Sequence, residues 1–142
     1  MRTLSNFAGL PSSLTSSKTI GIARKKSREF GRIIRDSLRR FDVFGRQGGD
    51  EFAILLPDTD QGGAMRYCER LRAGISAAVV RFNGVQLQMT ASMGLALLTQ
   101  DTVSADEAIS QADRALYDSK ARGRNRITVA DGTAAPAEMA AP

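Results

Sequence analysis

The succession of periodic segments predicts an α+β domain, an antiparallel sheet with helices on one or both faces. Three observations carry this expectation. Apolar residues recur at helical spacing in three stretches, and short apolar or alternating runs bounded by turn residues lie between them. Two tight turns, Gly48-Gly49 and Asn83-Gly84, stand between such runs in the manner that closes hairpins. At 142 residues the chain suits one domain, large enough to bury a core without staples.

Residues 1–26 are rich in Ser and Thr, contain Gly9 and Pro11, and keep no sustained period. They are expected to be poorly ordered, apart from a short strand at Thr19 to Ala23. From Ser27 to Phe41 the residues Phe30, Ile33, Ile34, Leu38 and Phe41 recur at helical spacing between Arg28, Arg32, Arg35 and Arg39, which predicts an amphipathic helix with a basic outer face. Strands are expected at about Asp42 to Arg46 and Glu51 to Leu56. Pro57 closes that hairpin, and Asp58, Thr59 or Asp60 can cap the helix predicted over 61–78. That helix places Ala64, Met65, Cys68, Leu71, Ile75 and Ala78 on one face, with Gly62, Gly63 and Gly74 weakening it. Val79 to Phe82 and Val85 to Met89 flank Asn83-Gly84 as a second hairpin, and the strand is expected to continue through Met93 to Leu98 with a break at Gly94. Ser104 and Glu107 form a capping box for a last helix that buries Ala108, Ile109, Ala112, Ala115 and Leu116. Gly123 suits the position after its end, Ile127 to Val129 a closing strand, and residues 131–142 a disordered Ala- and Pro-rich tail.

Charge and cysteine content narrow the function classes. Residues 1–46 hold eleven Lys or Arg against three carboxylates, whereas the rest of the chain is net negative, so the positive field is concentrated in the first third. Such a field can meet a phosphodiester, a membrane surface or a small anionic nucleotide, or simply form a solvated helix face. Exposed aromatics for base stacking are scarce, so nucleic acid is not the expected partner. No apolar run approaches membrane-spanning length and the N-terminus has no apolar signal core, which argues against a membrane partner. One cysteine rules out an internal disulfide, and Cys68 as a small core residue fits the cytoplasm.

The stretch that carries chemistry is Gly48-Gly49-Asp50-Glu51-Phe52. Adjacent glycines let another group approach the backbone, and a carboxylate beside them can hold a divalent cation that itself holds phosphate oxygens. Read alone, these residues are also compatible with a solubilising turn between edge strands. The five letters, however, match the signature of the GGDEF domains, and the match extends through four more ordered blocks. Arg39-Arg40-Phe41-Asp42 resembles the family's RxxD product-binding motif, Leu55-Leu56-Pro57-Asp58-Thr59 its hairpin exit, Thr90 to Ala96 its late strand, and Ala112 to Arg126 its final helix and exit. The resemblance covers about residues 27–130 as one GGDEF-like domain. It implies a ferredoxin-like, nucleotidyl-cyclase-type fold whose N-terminal part is incomplete here.

It also implies an activity, the joining of two GTP into cyclic di-GMP with release of pyrophosphate by a homodimer whose two chains face each other. Such a reaction rests on Mg2+ (or Mn2+) and on positioned charge. By resemblance Asp50 is the metal ligand and catalytic carboxylate, Glu51 its neighbour in the catalytic pair, and Gly48 and Gly49 the close-approach turn beside the nucleotide. Lys120 and Arg124 match the basic pair directed at the triphosphate. Four residues apart, they are expected on the same side of a helix end, where taken alone they would be a charge cluster opposing the helix dipole. Arg39 and Asp42 match the inhibitory site. There an Arg can meet the O6 and N7 edge of guanine and a carboxylate its N1 and N2 donors; otherwise the two form only a surface i,i+3 pair.

One part of the family pattern is missing. Its members begin with a central strand bearing a metal-binding Asp, followed by an Asn and a further Asp that read guanine, and here no Asp or Glu precedes Glu29. A truncation or reading-frame shift near Lys26 would leave this pattern, and the sheet would then lack its middle strand. Two readings follow: a cyclase, or a catalytically inactive receptor that binds cyclic di-GMP through Arg39 and Asp42.

Overall fold

The computed structural model describes residues 2–6, 16–48, 50–99 and 104–131. Its elements are β1 (Arg2–Asn6), α1 (Ser16–Ser37), β2 (Val43–Gly48), β3 (Glu51–Leu55), α2 (Gln61–Ala77), β4 (Val80–Phe82), β5 (Val85–Leu87), β6 (Ser92–Ala96), α3 (Ala105–Ala121) and β7 (Ile127–Val129). Five strands form one sheet in the order β2-β3-β1-β6-β7, and β4 with β5 forms a separate hairpin. All pairings in the large sheet are antiparallel except β6 with β7, which is parallel because α3 carries the chain back across the sheet between them.

Alternation along the strands decides which face each residue takes. In β3, Phe52 and Ile54 are buried against α1 and α2, whereas Ala53 packs with Ala112 and Leu116 of α3. The ring of Phe30 in α1 stacks on Phe52 at 5.3 Å, and Phe44 of β2 stacks on Phe52 at 6.1 Å. In β6, Met93 and Leu95 join that same α1–α2 core while Ala96 turns to α3. The core side chains Phe30, Ile34, Ile54, Ile75, Met93 and Leu95 are fully buried, each contributing roughly 1.5–3 kcal/mol by transfer from water. Cys68 lies among them, as its place on the apolar face of α2 required.

On the α3 side the approach is closer. Ala108, Ala112 and Ala115 let the helix settle onto β6, and a methyl group on Gly94 would lie 2.0 Å from the Ala112 carbonyl oxygen. Gly94 therefore does not break β6. It is the strand residue over which α3 crosses. Capping follows the local chemistry: the Asp60 carboxylate accepts from the Gly63 N–H at 2.7 Å, and the Ser104 hydroxyl from the Glu107 N–H at 3.1 Å. Gly123, with φ of 109°, supplies the left-handed residue after α3.

Several sequence expectations are corrected. Residues 19–23 are helical, and α1 begins at Ser16 rather than Ser27. The buried stripe of its middle part runs Ile22, Lys26, Phe30, Ile34, with Ser27 beside it, so two polar residues interrupt the apolar period where it would have been visible. The sheet does not lack its middle strand. Residues 2–6 pair with β3 on one side and β6 on the other, which leaves neither neighbour with an unpaired inner edge. Phe41 lies beyond the end of α1 and is 72% exposed, because the chain turns after Ser37. The strand after Asn83-Gly84 stops at Leu87, and β6 begins a separate run in the other sheet. The tail from residue 132 and Gly49 lie outside the described residues. Among the described residues no helix is long and apolar enough to cross a membrane.

Candidate active site

The β2–β3 hairpin presents the acidic pair, and strand alternation separates its two members. Gly48, with φ of 149°, takes a conformation L side chains rarely adopt, and a register shift lies between Arg46 and Gly48 where the chain reverses. Asp50 shares the parity of Phe52 and Ile54. It lines a cleft of about 990 Å³ between β2 and the exposed face of α1, together with Arg24, Arg28, Arg35 and Arg46. Glu51 has the opposite parity and meets the last turn of α3, its carboxylate 3.6 Å from the Lys120 ammonium. Adjacent in sequence, the two carboxylates serve opposite faces of the sheet.

Each face has a second charged group that the sequence reading missed. On the α1 side the Lys26 side chain is buried. Desolvation holds its ammonium below the usual lysine range, and the Asp50 carboxylate partly offsets that effect. On the α3 side Asp113 is held above the usual carboxylate range, first by desolvation and then by the nearby Glu51 charge, with Lys120 acting in the other direction. A signal for Asp113 was present, since it stands seven residues before Lys120 and two helical turns bring both to one face. Lys26 gave none, because a lysine within a basic stretch reads as solvated.

The basic pair is split. Lys120 belongs to α3, but Arg124 lies beyond its C-cap, Arg122, with φ of 63°, so the two do not share a helical face as expected. The turn holding Arg124 is firmly anchored. The Arg124 N–H donates to the Ser119 carbonyl at 3.0 Å, the Asn125 N–H to the Ser92 hydroxyl at 3.2 Å, and the Arg72 guanidinium to the Asn125 side-chain oxygen at 2.9 Å.

Arg39 and Asp42 form a hydrogen-bonded turn apart from the hairpin tip. The Asp42 carboxylate accepts from the Arg39 backbone N–H at 2.7 Å, and the Asp42 N–H donates to the Arg39 carbonyl at 3.2 Å. The carboxylate thus meets the arginine backbone rather than its guanidinium. The closed turn leaves the Arg39 side chain exposed at one end of β2, with the Gly48 bend at the other, about 17 Å of extended strand away.

Comparison with known proteins bears on the family and the fold. The family model described as "Diguanylate cyclase, GGDEF domain" matches residues 28–126. The chain is 36% identical over 101 residues to Diguanylate cyclase A of Treponema denticola, covering 71% of this chain and 27% of that protein. It is 38% identical over 97 residues to Diguanylate cyclase DgcP of Pseudomonas aeruginosa, covering 68% of this chain and 14% of that one. It thus spans less than a third of these curated relatives. Among solved structures, the GGDEF domain of DgcB from Caulobacter crescentus in complex with c-di-GMP superposes with a TM-score of 0.77 at 23% identity, over 91% of this chain and 76% of that one. Diguanylate cyclase SiaD from Pseudomonas aeruginosa, in complex with its activator SiaC, gives 0.79 at 28% identity over 91% and 50%. With its glycine bend, acidic pair and basic α3 end in this arrangement, the chain belongs to the GGDEF domain family of diguanylate cyclases.

Proposed function

We propose that the chain is a diguanylate-cyclase-type domain of the cytoplasm that holds GTP at the hairpin tip and, as a facing homodimer, joins two GTP into cyclic di-GMP. The observation that carries this reading is the Glu51–Lys120 contact, which brings the signature bend to the basic end of α3. In each of two steps a ribose 3′-oxygen forms a bond to the other nucleotide's α-phosphorus, the bond to pyrophosphate breaks, and the hydroxyl proton leaves. In this reading Asp50 takes that proton, Gly48 and Gly49 admit the phosphates, and Lys120 and Arg124, reaching the tip from the other sheet face, offset their charge.

The Mg2+ or Mn2+ on which this chemistry draws supplies neutralisation of phosphate charge. No cluster of three potential ligands occurs among the described residues, so Asp50 would hold such an ion together with phosphate oxygens and water, while Glu51 pairs with Lys120 and has Asp113 near it on the other sheet face. With one protein carboxylate where the family uses two, turnover is expected to be slow. Incubating concentrated protein with GTP and Mg2+ and resolving cyclic di-GMP and pyrophosphate chromatographically tests the reading. Product above background that Asp50→Ala abolishes is expected; no product from a demonstrably dimeric sample refutes turnover.

A second reading, a cyclic di-GMP receptor, is favoured by the Arg39–Asp42 turn. It is preset by two hydrogen bonds and stands apart from the hairpin, so it does not depend on a complete catalytic centre. Calorimetry with cyclic di-GMP should show binding that Arg39→Ala removes, and equal affinity in the variant would defeat this reading.

A further inference from the structure

Beyond α3 the chain makes a turn that its own residues resist. Gly123, Arg124 and Asn125 are consecutive and all left-handed, with φ of 109°, 63° and 47°. Glycine takes this region freely and asparagine tolerates it, but arginine rarely enters it, so the turn holds strain at Arg124 and persists only where its surroundings over-determine it. Three elements do so. From α3 the Ser119 carbonyl accepts the Arg124 N–H at 3.0 Å. From β6 the Ser92 hydroxyl accepts the Asn125 N–H at 3.2 Å, and the Met93 N–H donates to the Arg126 carbonyl at 2.9 Å.

The third anchor comes from α2, a helix that carries none of the residues assigned to the nucleotide. Arg72 and Ser76, one turn apart on that helix, both donate to the side-chain oxygen of Asn125, at 2.9 and 3.4 Å. Arg72 is itself oriented. Its Nε and one terminal nitrogen each lie 3.0 Å from a Glu69 carboxylate oxygen, which fixes the planar guanidinium with its other terminal nitrogen turned to Asn125. Glu69, Arg72 and Asn125 thus form a chain of charge-assisted hydrogen bonds from α2 to the residue next to Arg124. The Arg124 side chain is exposed, so where it can reach is set by the backbone from which it leaves.

We propose that Arg72 and Asn125 are positioning residues: by bracing the left-handed turn against α2 they hold Arg124 where it can offset the charge of a bound triphosphate. The proposal rests on the reading of Arg124 as a phosphate-binding residue and adds what keeps it in place. It is tested by calorimetry of the full chain with GTP in Mg2+. The variants are Arg72→Ala, Asn125→Gly, Arg124→Ala, the double variant Arg72→Ala/Arg124→Ala, and a charge-matched control, Arg81→Ala on the exposed part of β4. Glycine takes the dihedrals of position 125 without strain, so Asn125→Gly removes the anchor and leaves the turn allowed. Circular dichroism checks the fold of each variant.

The expected result is GTP affinity lowered roughly tenfold or more in Arg124→Ala, lowered about three- to tenfold in Arg72→Ala and in Asn125→Gly, and unchanged in Arg81→Ala. Because Arg72 acts through Arg124, adding Arg72→Ala to Arg124→Ala should lower affinity less than twofold further, a coupling that a general loss of stability would not produce. Parent-like affinity in Arg72→Ala and Asn125→Gly beside a weakened Arg124→Ala overturns the proposal and leaves the nucleotide reading standing. A full additional loss in the double variant, or an equal loss in Arg81→Ala, overturns it in favour of a charge effect independent of the turn. Parent-like affinity in Arg124→Ala overturns it together with the phosphate role of Arg124, and absence of GTP binding by the parent overturns it together with the proposed function.

Discussion

Replacing Gly94 with alanine probes the contact on which both the fold and the hairpin geometry rest. The added methyl carbon would stand 2.0 Å from the Ala112 carbonyl oxygen and 2.4 Å from the Leu116 nitrogen, and ordinary contact begins near 3.4 Å, so α3 must retreat from β6 by about 1.4 Å. Both sides of the clash are backbone, which no rotamer change can relieve. Overpacking costs ~1–3 kcal/mol where side chains can yield, so this substitution belongs at or above the upper end, ~3 kcal/mol. Against a net stability of ~5–15 kcal/mol that is a large fraction, and for a chain of this length it lowers Tm by roughly 10 °C. The same retreat carries Lys120 away from Glu51, whose ion pair at 3.6 Å is already near the limit of a salt bridge. Thermal unfolding followed by far-ultraviolet circular dichroism measures the first effect, and GTP affinity the second. A Gly94→Ala variant melting within ~2 °C of the parent would show that α3 does not sit on β6 as described.

Three further outcomes follow from particular side chains. Ser119 is fully buried, its hydroxyl 2.7 Å from both the Met93 carbonyl and the Thr128 hydroxyl, so Ser119→Ala strands two polar groups and should cost ~1–3 kcal/mol in a urea titration; a midpoint equal to the parent's would contradict the buried bonds. Phe30→Ala empties the centre of the α1–β3 contact and should cost ~3–5 kcal/mol, with a change below ~1 kcal/mol refuting the stacked-ring core. Burial lowers the Lys26 pKa from 10.5, so between the lowered value and 10.5 the unfolded chain binds more protons than the folded one, and stability should rise with pH across that window. Lys26→Met should flatten this rise in denaturation midpoints measured over the alkaline range, and an unchanged slope would exclude Lys26 as its source.

The two hairpin turns, the caps at Asp60 and Ser104, the cysteine in the core and the family signature were all legible in the letters. Each depends on residues within a few positions of one another, where dihedral preference and local hydrogen bonding dominate. The first part of α1 was not legible, because its buried stripe passes through Lys26 and Ser27, which propensity assigns to solvent. Nor was β1. Five residues with little apolar content become a central strand only because β3 and β6 stand on either side with backbone groups to satisfy.

The site divides along the same line. From sequence alone came the acidic pair, the basic α3 end, the arginine-rich α1 and the Arg39–Asp42 pair, since charge and spacing are properties of the chain. Which of these groups meet was decided by the tertiary structure. Strand alternation sends Asp50 to the arginines of α1 and Glu51 to Lys120, and the early end of α3 separates Lys120 from Arg124. The physical reason is that neighbours in sequence on an extended strand project to opposite sides of a sheet, and only the layers packed on each side determine what they face.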